Sequence, residues 1–270
     1  KPVFCEVDAD TFCIDPNRIE ELITPRTKAI MPVHIYGQSA DMTAIMNIAR
    51  KHNLKVIEDA AQAIGVEWEG EHIGLRSDVA TISFYGNKTI TCGEGGIVMT
   101  QDKEIAERVY RLKNHGRPKR GTFIHEEVGY NFSITEMQAA IGLAQMKKLP
   151  QIIEKKRKIA EKYAAELNGT EGFRPTPIDE RCKPVYWFTS FLTPHREELA
   201  AYLKTQKIQS RKFFCPLHRQ PCYKDIVDLK ATFPISDMIY KQGISLPSAY
   251  GLTEEEQDYV IENIKNFFGK

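Results

Sequence analysis

Lys88 is the residue of this chain best placed to act as a nucleophile. It lies in Ser83-Phe84-Tyr85-Gly86-Asn87-Lys88-Thr89-Ile90-Thr91-Cys92-Gly93-Glu94-Gly95-Gly96, entered by one apolar run (79–84) and left by another (97–99). A lysine held between buried strands loses hydration, which lowers its pKa and frees the amine for Schiff-base chemistry. Read alone, such a lysine is a solvated loop residue. Its company matters: Ser83, five residues upstream, and Asp59 and Gln62 earlier in the chain. A hydroxyl at a rigid strand end is a good donor to a phosphate, and a carboxylate can hold a ring nitrogen protonated. Taken singly, Ser83 is a turn serine and Asp59 is half of an acidic pair with Glu58.

The elements that must position these residues are legible in the spacing of apolar positions and caps. Residues 3–7 read as a strand, and Asp15 with Pro16 starts a helix through Leu22. Residues 28–35 form the next strand, and Asp41 caps a helix to about His52. Residues 55–59 are again a strand, followed by Ala60-Ala61-Gln62-Ala63, which puts Gln62 about one helical turn past Asp59. A hairpin with Glu69-Gly70 at its turn occupies 65–74. After the Lys88 segment come a strand (97–100) and a helix from Asp102 to near Asn114. Residues 115–130 are irregular and basic, with Arg117, Lys119 and Arg120 close to Lys113. Ser133 and Glu136 have capping-box spacing before a helix that Leu149-Pro150 breaks. The charged helix behind it (151–167) reads as a solvated face. Strands alternating with helices predict a parallel sheet covered by helices, in which ligands bind beyond the strands' carboxyl ends. Asp59 and Lys88 both fall at such ends.

Past Asn168-Gly169 the pattern changes to a strand (185–192), a helix (195–204), a Pro- and aromatic-rich stretch (213–223) and a closing helix (259–268). The predicted fold is therefore α/β, with a large domain over residues 1–149 and a smaller α+β domain over 150–270. Composition narrows the function classes. A net charge of +1 in 270 residues argues against a nucleic-acid partner, and the apolar runs are too short to span a bilayer. Six cysteines without a Cys-x-x-Cys pair, and seven histidines without ligand spacing, predict no metal and reduced thiols in a cytoplasmic protein. The chain starts Lys1-Pro2-Val3, with neither a methionine nor a signal peptide, which predicts a trimmed N-terminus.

An amine nucleophile, a carboxylate and a phosphate donor suit pyridoxal 5'-phosphate, whose ring accepts electrons when its nitrogen stays protonated. Gln62 would then reach the ring hydroxyl. These residues also match a known pattern. Glu58-Asp59-Ala60-Ala61-Gln62, then Ser83 to Lys88 and Gly93-Glu94-Gly95-Gly96, resemble the DegT/DnrJ/EryC1/StrS sugar aminotransferases, fold-type-I pyridoxal phosphate enzymes with a three-layer sandwich. The resemblance runs from Pro32-Val33-His34-Ile35-Tyr36-Gly37 through Gly129-Tyr130-Asn131-Phe132 to residues 213–223. Its wording around Lys88, with Pro216-Leu217-His218, is similar to perosamine synthase-like members.

The resemblance implies that Lys88 carries the Schiff base and moves the substrate proton, that Asp59 pairs with the ring nitrogen, and that Gln62 and Ser83 hold the ring hydroxyl and the phosphate. It implies further that Asn131 reaches a neighbouring subunit's phosphate, so that a homodimer shares its active sites. The implied substrates are a nucleotide-linked 4-keto-6-deoxy sugar and glutamate. His218 and Arg211 are candidates to touch sugar, nucleotide or donor carboxylate. Relatives that dehydrate carry histidine at the lysine position, so Lys88 favours transfer. A sugar dehydratase, a transferase for a non-nucleotide keto substrate, and a non-catalytic regulatory or scaffold protein remain the alternatives. The family pattern begins before Lys1, with a phosphate-binding loop and a stacking aromatic, so the chain is expected to be N-terminally incomplete.

Overall fold

The computed structural model describes residues 1–119, 121–227 and 231–269; Arg120, which belongs to the basic stretch singled out above, lies outside the described residues. The first sheet holds β1 (Ala29–Ile30), β2 (Lys55–Asp59), β5 (Val79–Ser83) and β6 (Gly96–Met99) in the order β1-β2-β5-β6. β1, β2 and β5 run parallel, whereas β6 returns antiparallel, with Ser83 opposite Gly96. Parallel pairing from β5 to β6 would need a crossover helix, and the segment between them is spent on the Lys88 loop instead. Asp41 accepts the Ala44 amide at 2.9 Å and starts α1 (Met42–Lys51), whose buried Met42, Ile45 and Ala49 lie on one face. They pack with Val56, Val66, Trp68 and Ile82 in the first core.

β3 (Glu67–Trp68) and β4 (Glu71–His72) form the expected hairpin, with Glu69 and Gly70 both at positive φ (50° and 80°), as a tight turn with this twist requires. β7 (Arg174–Pro175), β9 (Thr189–Leu192), β10 (Arg211–Lys212) and β11 (Gly243–Leu246) make a second, antiparallel sheet in the order β10-β11-β9-β7, while β8 (Cys182–Lys183) joins β3. The helices are α2 (Lys103–Lys113), α3 (Glu136–Met146), α4 (Leu149–Glu166), α5 (Arg196–Thr205), α6 (Pro234–Gln242) and α7 (Glu254–Phe267). Tyr163 of α4, Leu199 and Leu203 of α5, and Val260 and Ile264 of α7 pack with Phe191 and Ile244 in a second core. Among the described residues no helix is long and apolar enough to cross a membrane.

Several elements differ from the sequence expectation, each for a local reason. In residues 3–7 only Val7 pairs, in an isolated bridge to Ile14. Residues 16–22 form two 3-10 turns rather than a helix, although Asp15 caps the first through Asn17. The strand expected over 28–35 stops at Ile30 because Pro32 cannot donate to a ladder, and only Val33 returns to pair with Asp59. Ala60 to Ala63 form a tight turn, not a helix. The capping box before α3 is Thr135 with Gln138, two residues beyond the predicted pair. Pro150 sits in the first turn of α4, where its missing N–H costs nothing.

The face of α4 is not wholly solvated. Lys156 is buried, and its ammonium donates to the Ser248 carbonyl at 2.8 Å. Burial pulls its pKa down to about 8 from an ordinary 10.5. The unfolded chain therefore holds this proton through a range where the folded chain has released it, so stability rises with pH between those two values and is level, at its lower value, beneath them. Lys156→Met should stabilise the fold by about 1 kcal/mol at neutral pH, the relieved charge burial outweighing the lost bond to Ser248. Above the unfolded value the order should reverse, because the wild-type amine is then neutral and still bonded. Urea midpoints at neutral and alkaline pH check this; a variant less stable at both overturns it.

Candidate active site

Asp59 ends β2, and its backbone is fixed on both sides. Its amide donates to the Pro32 carbonyl at 2.9 Å and its carbonyl accepts the His34 amide at 3.0 Å. Its side chain accepts the Ala61 amide at 3.0 Å, which closes the turn carrying Gln62. The preceding residue, Glu58, points into the core and is fully buried against His34, at 2.7 Å. Alternation along a strand explains the contrast: one carboxylate is committed to the interior and its neighbour faces the site.

Gln62 Oε1 accepts the Tyr36 amide at 2.7 Å, which orients the carboxamide and leaves its NH2 group as a donor. Tyr36 itself is left-handed (φ 55°), and Gly37 follows at φ 90°. Ser83, last residue of β5, accepts the Tyr85 amide at 3.2 Å; that is the turn-serine role, and it leaves the hydroxyl proton available to a phosphate. The loop beyond is tied by Lys88 N–H to the Tyr85 carbonyl (3.0 Å) and Cys92 N–H to the Phe84 carbonyl (3.0 Å). The glycine at its exit is a close-approach residue: a Cβ on Gly96 would sit 2.8 Å from the Ile82 carbonyl oxygen.

Lys88 is half-buried, and its Nζ lies 4.2 Å from the centre of the Trp187 ring. Desolvation lowers its pKa, and the negative charge of Asp59 opposes that shift. Asp59 and Lys88 thus act on one another across the ends of β2 and β5. Trp187 and Phe188 are residues that sequence reasoning missed. Residues 185–192 read as a continuous strand, but Tyr186 is left-handed (φ 46°) and the strand begins only at Thr189. The aromatic run Tyr186-Trp187-Phe188 was the available signal, and a strand reading assigns its faces wrongly.

The remaining candidates lie elsewhere in the fold. Arg211 places its guanidinium 5.1 Å from the Phe188 ring centre, and Phe188 stacks on Trp187 at 4.0 Å, so Arg211 joins the site through two rings. His218 contacts Asp237 at 3.1 Å and stacks on Phe233 at 4.5 Å. Asn131 is exposed, with a backbone bridge to Asn114.

A half-buried lysine at a strand-end loop, faced by a carboxylate and followed by a glycine-rich exit, is the arrangement of an amine-transfer enzyme. Residues 1–265 match the DegT/DnrJ/EryC1/StrS aminotransferase family. The chain belongs to that family. It is 38% identical to the GDP-perosamine synthase of Vibrio cholerae over 275 residues, covering 99% of this chain and 74% of that protein. It is 40% identical to the pleiotropic regulatory protein of Geobacillus stearothermophilus over 274 residues, covering 99% and 73%. Its fold matches the crystal structure of S. venezuelae DesV in complex with a ketimine intermediate, with a TM-score of 0.95 and 34% identity over 100% of this chain and 72% of that one. The α/β aminotransferase fold expected from the sequence is therefore the fold of this protein.

Proposed function

We propose that this family member transfers an amino group from glutamate to the keto carbon of a nucleotide-linked 4-keto-6-deoxy sugar. The observation that carries the reading is Lys88, half-buried and paired electrostatically with Asp59. The residues present fit pyridoxal 5'-phosphate. Asp59 would face the ring nitrogen, the free NH2 of Gln62 the ring hydroxyl, the Ser83 hydroxyl the phosphate, and Lys88 would bind covalently. When bound, that cofactor supplies an electron sink for the donor's α-carbon. Lys88 Nζ would take the proton from that carbon and return it, and its partial desolvation keeps the neutral amine within reach. A nucleotide-sugar acceptor is supported by the perosamine synthase relative, and a keto group by the DesV ketimine, since a ketimine joins an amine to a ketone.

Two features support a homodimer with a shared site, Asn131 reaching the neighbour's phosphate. α3 buries none of its residues, and four large apolar side chains of this region are exposed: Phe123 (84%), Phe132 (71%), Met137 (78%) and Leu143 (67%). Surfaces of this kind mark contacts between chains. A division into domains 1–149 and 150–270 falls at the first turn of α4, whose Ile152 packs with the first core and whose Ile159 and Tyr163 pack in the second. Six free cysteines favour a cytoplasmic location.

The test is incubation with pyridoxal phosphate, nitrogen-labelled glutamate, and GDP- or dTDP-linked 4-keto-6-deoxy sugars, followed by mass spectrometry of the sugar. Label in the sugar is expected, from a fraction that light scattering sizes as a dimer. Loss of a hydroxyl without label would make the protein a dehydratase, and no turnover of any keto sugar would overturn the reading.

A further inference from the structure

We infer that Trp187 is a positioning residue for Lys88: its indole face holds the ε-ammonium while its N–H pins the loop that carries the lysine. The inference rests on the assignment of Lys88 made above and adds a residue to it. Both contacts come from one side chain. The ring centre is 4.2 Å from Lys88 Nζ, and Nε1–H donates to the Asn87 carbonyl at 2.7 Å. Trp187 is 3% exposed, so the cation meets a desolvated ring, where such contacts are strongest.

The chain spends conformational freedom to aim this ring. Tyr186 is left-handed without being glycine, a state that persists only where the surroundings enforce it and one found most often at functional sites. Gly37, also left-handed, allows the approach: a Cβ there would lie 2.6 Å from the Trp187 amide nitrogen. Val185 N–H donates to the Gly37 carbonyl at 2.9 Å, locking the two segments together. Phe188 stacks on the indole at 4.0 Å and Phe214 at 6.1 Å, which restricts its freedom to turn.

The arrangement answers a chemical difficulty. A lysine that moves a proton must be able to hold it as well as release it, and burial alone favours release. Asp59, from the end of β2, is the charge acting on Lys88. Arg211 rests on Phe188, the ring stacked on Trp187, rather than on the indole itself. The π face therefore favours the ammonium without placing a second carboxylate in the site.

The experiment measures the Lys88 amine rather than turnover. The full chain, with no cofactor added, is labelled with formaldehyde and cyanoborohydride across pH, and modification at Lys88 is quantified by peptide mass spectrometry. Trp187→Leu keeps bulk and removes the π face; it should move the Lys88 profile to lower pH, raising labelling on the acid limb about threefold or more. Trp187→Phe keeps a face and should shift the profile less. A Trp187→Leu profile that superimposes on the wild type, in a protein of equal melting temperature, overturns the inference.

Should both variants fail to fold, Trp68→Phe leaves Trp187 as the one indole of a chain that has two tryptophans. Its emission should then titrate with pH and stop doing so when Lys88→Met is added. A titration that Lys88→Met leaves unchanged also overturns the inference. Neither readout depends on amino transfer, so a failure here leaves the proposed reaction standing, and a failed sugar assay leaves the Trp187 result intact.

Discussion

Lys88→Ala should reduce amino transfer by about 10³-fold or more while leaving the melting temperature within a few degrees of the wild type. The rate loss follows from removing both the covalent attachment and the proton carrier, of which positioned acid–base catalysis alone is worth about 10²–10⁴-fold. The fold should tolerate the change because the side chain is only half-buried and its main contact is the Trp187 face, worth about 1 kcal/mol. Lys88→Arg separates charge from chemistry. It keeps a cation over the indole but cannot be deprotonated, so it should be as inactive as alanine. Initial rates of label transfer, beside thermal unfolding of each variant, check this. An alanine variant within tenfold of the wild-type rate would remove Lys88 from the reaction.

That Lys88 stands out as a candidate in the sequence reflects how this part of the chain is built. Asp59, Ser83 and Lys88 all belong to short stretches that begin with a strand of the parallel sheet, and a period-2 apolar run locates a strand end well. Asp41 and Asp102 were legible as caps for the same local reason, each accepting amides of the turn that follows it. What the sequence concealed depends on contacts between distant segments. Trp187 reaches the Asn87 carbonyl beside Lys88 across a sequence separation of 100 residues, and it does so because Tyr186 is left-handed, which no propensity for tyrosine suggests. Lys156 looked like every other lysine of its helix; only the packing of α4 beneath Ser248 makes it a buried base. Residues 28–35 looked like one strand because periodicity does not register that Pro32 lacks the donor a ladder needs. The capping box shifted because Ser133 and Thr135 are both capable caps, and the choice falls to the one whose third successor, Gln138, also bonds the Glu94 carbonyl at 2.9 Å.

The buried pair beneath Asp59 yields the largest expected effect on stability. His34 Nδ1 accepts the Ala40 amide at 3.1 Å, so the ring proton sits on Nε2 and faces Glu58 Oε2 at 2.7 Å. The same oxygen accepts the Gly74 amide at 2.8 Å. One carboxylate thus ties the segment after β1, the strand β2 and the end of the β3–β4 hairpin. Glu58→Leu strands two buried donors and should cost about 3–5 kcal/mol. Glu58→Gln keeps an acceptor and loses the charge, and should cost about 1–2 kcal/mol. Burial opposes the charge on Glu58, but His34 and the Gly74 amide more than offset it and hold the carboxyl below its ordinary value of 4.5. The folded pKa is depressed, so this stabilisation is complete above the unfolded value and is lost as pH falls through the folded one. The gap between wild type and Glu58→Gln in urea unfolding should therefore close in acid. His34→Leu combined with Glu58→Leu should be less destabilised than the sum of the singles, because removing both partners leaves no buried charge alone. An additive double variant would mean that the pair does not act as a unit. Asp59 gives the same variants a functional signature: its amide and carbonyl are held by Pro32 and His34, so loosening His34 should weaken pyridoxal phosphate binding in protein that is still folded.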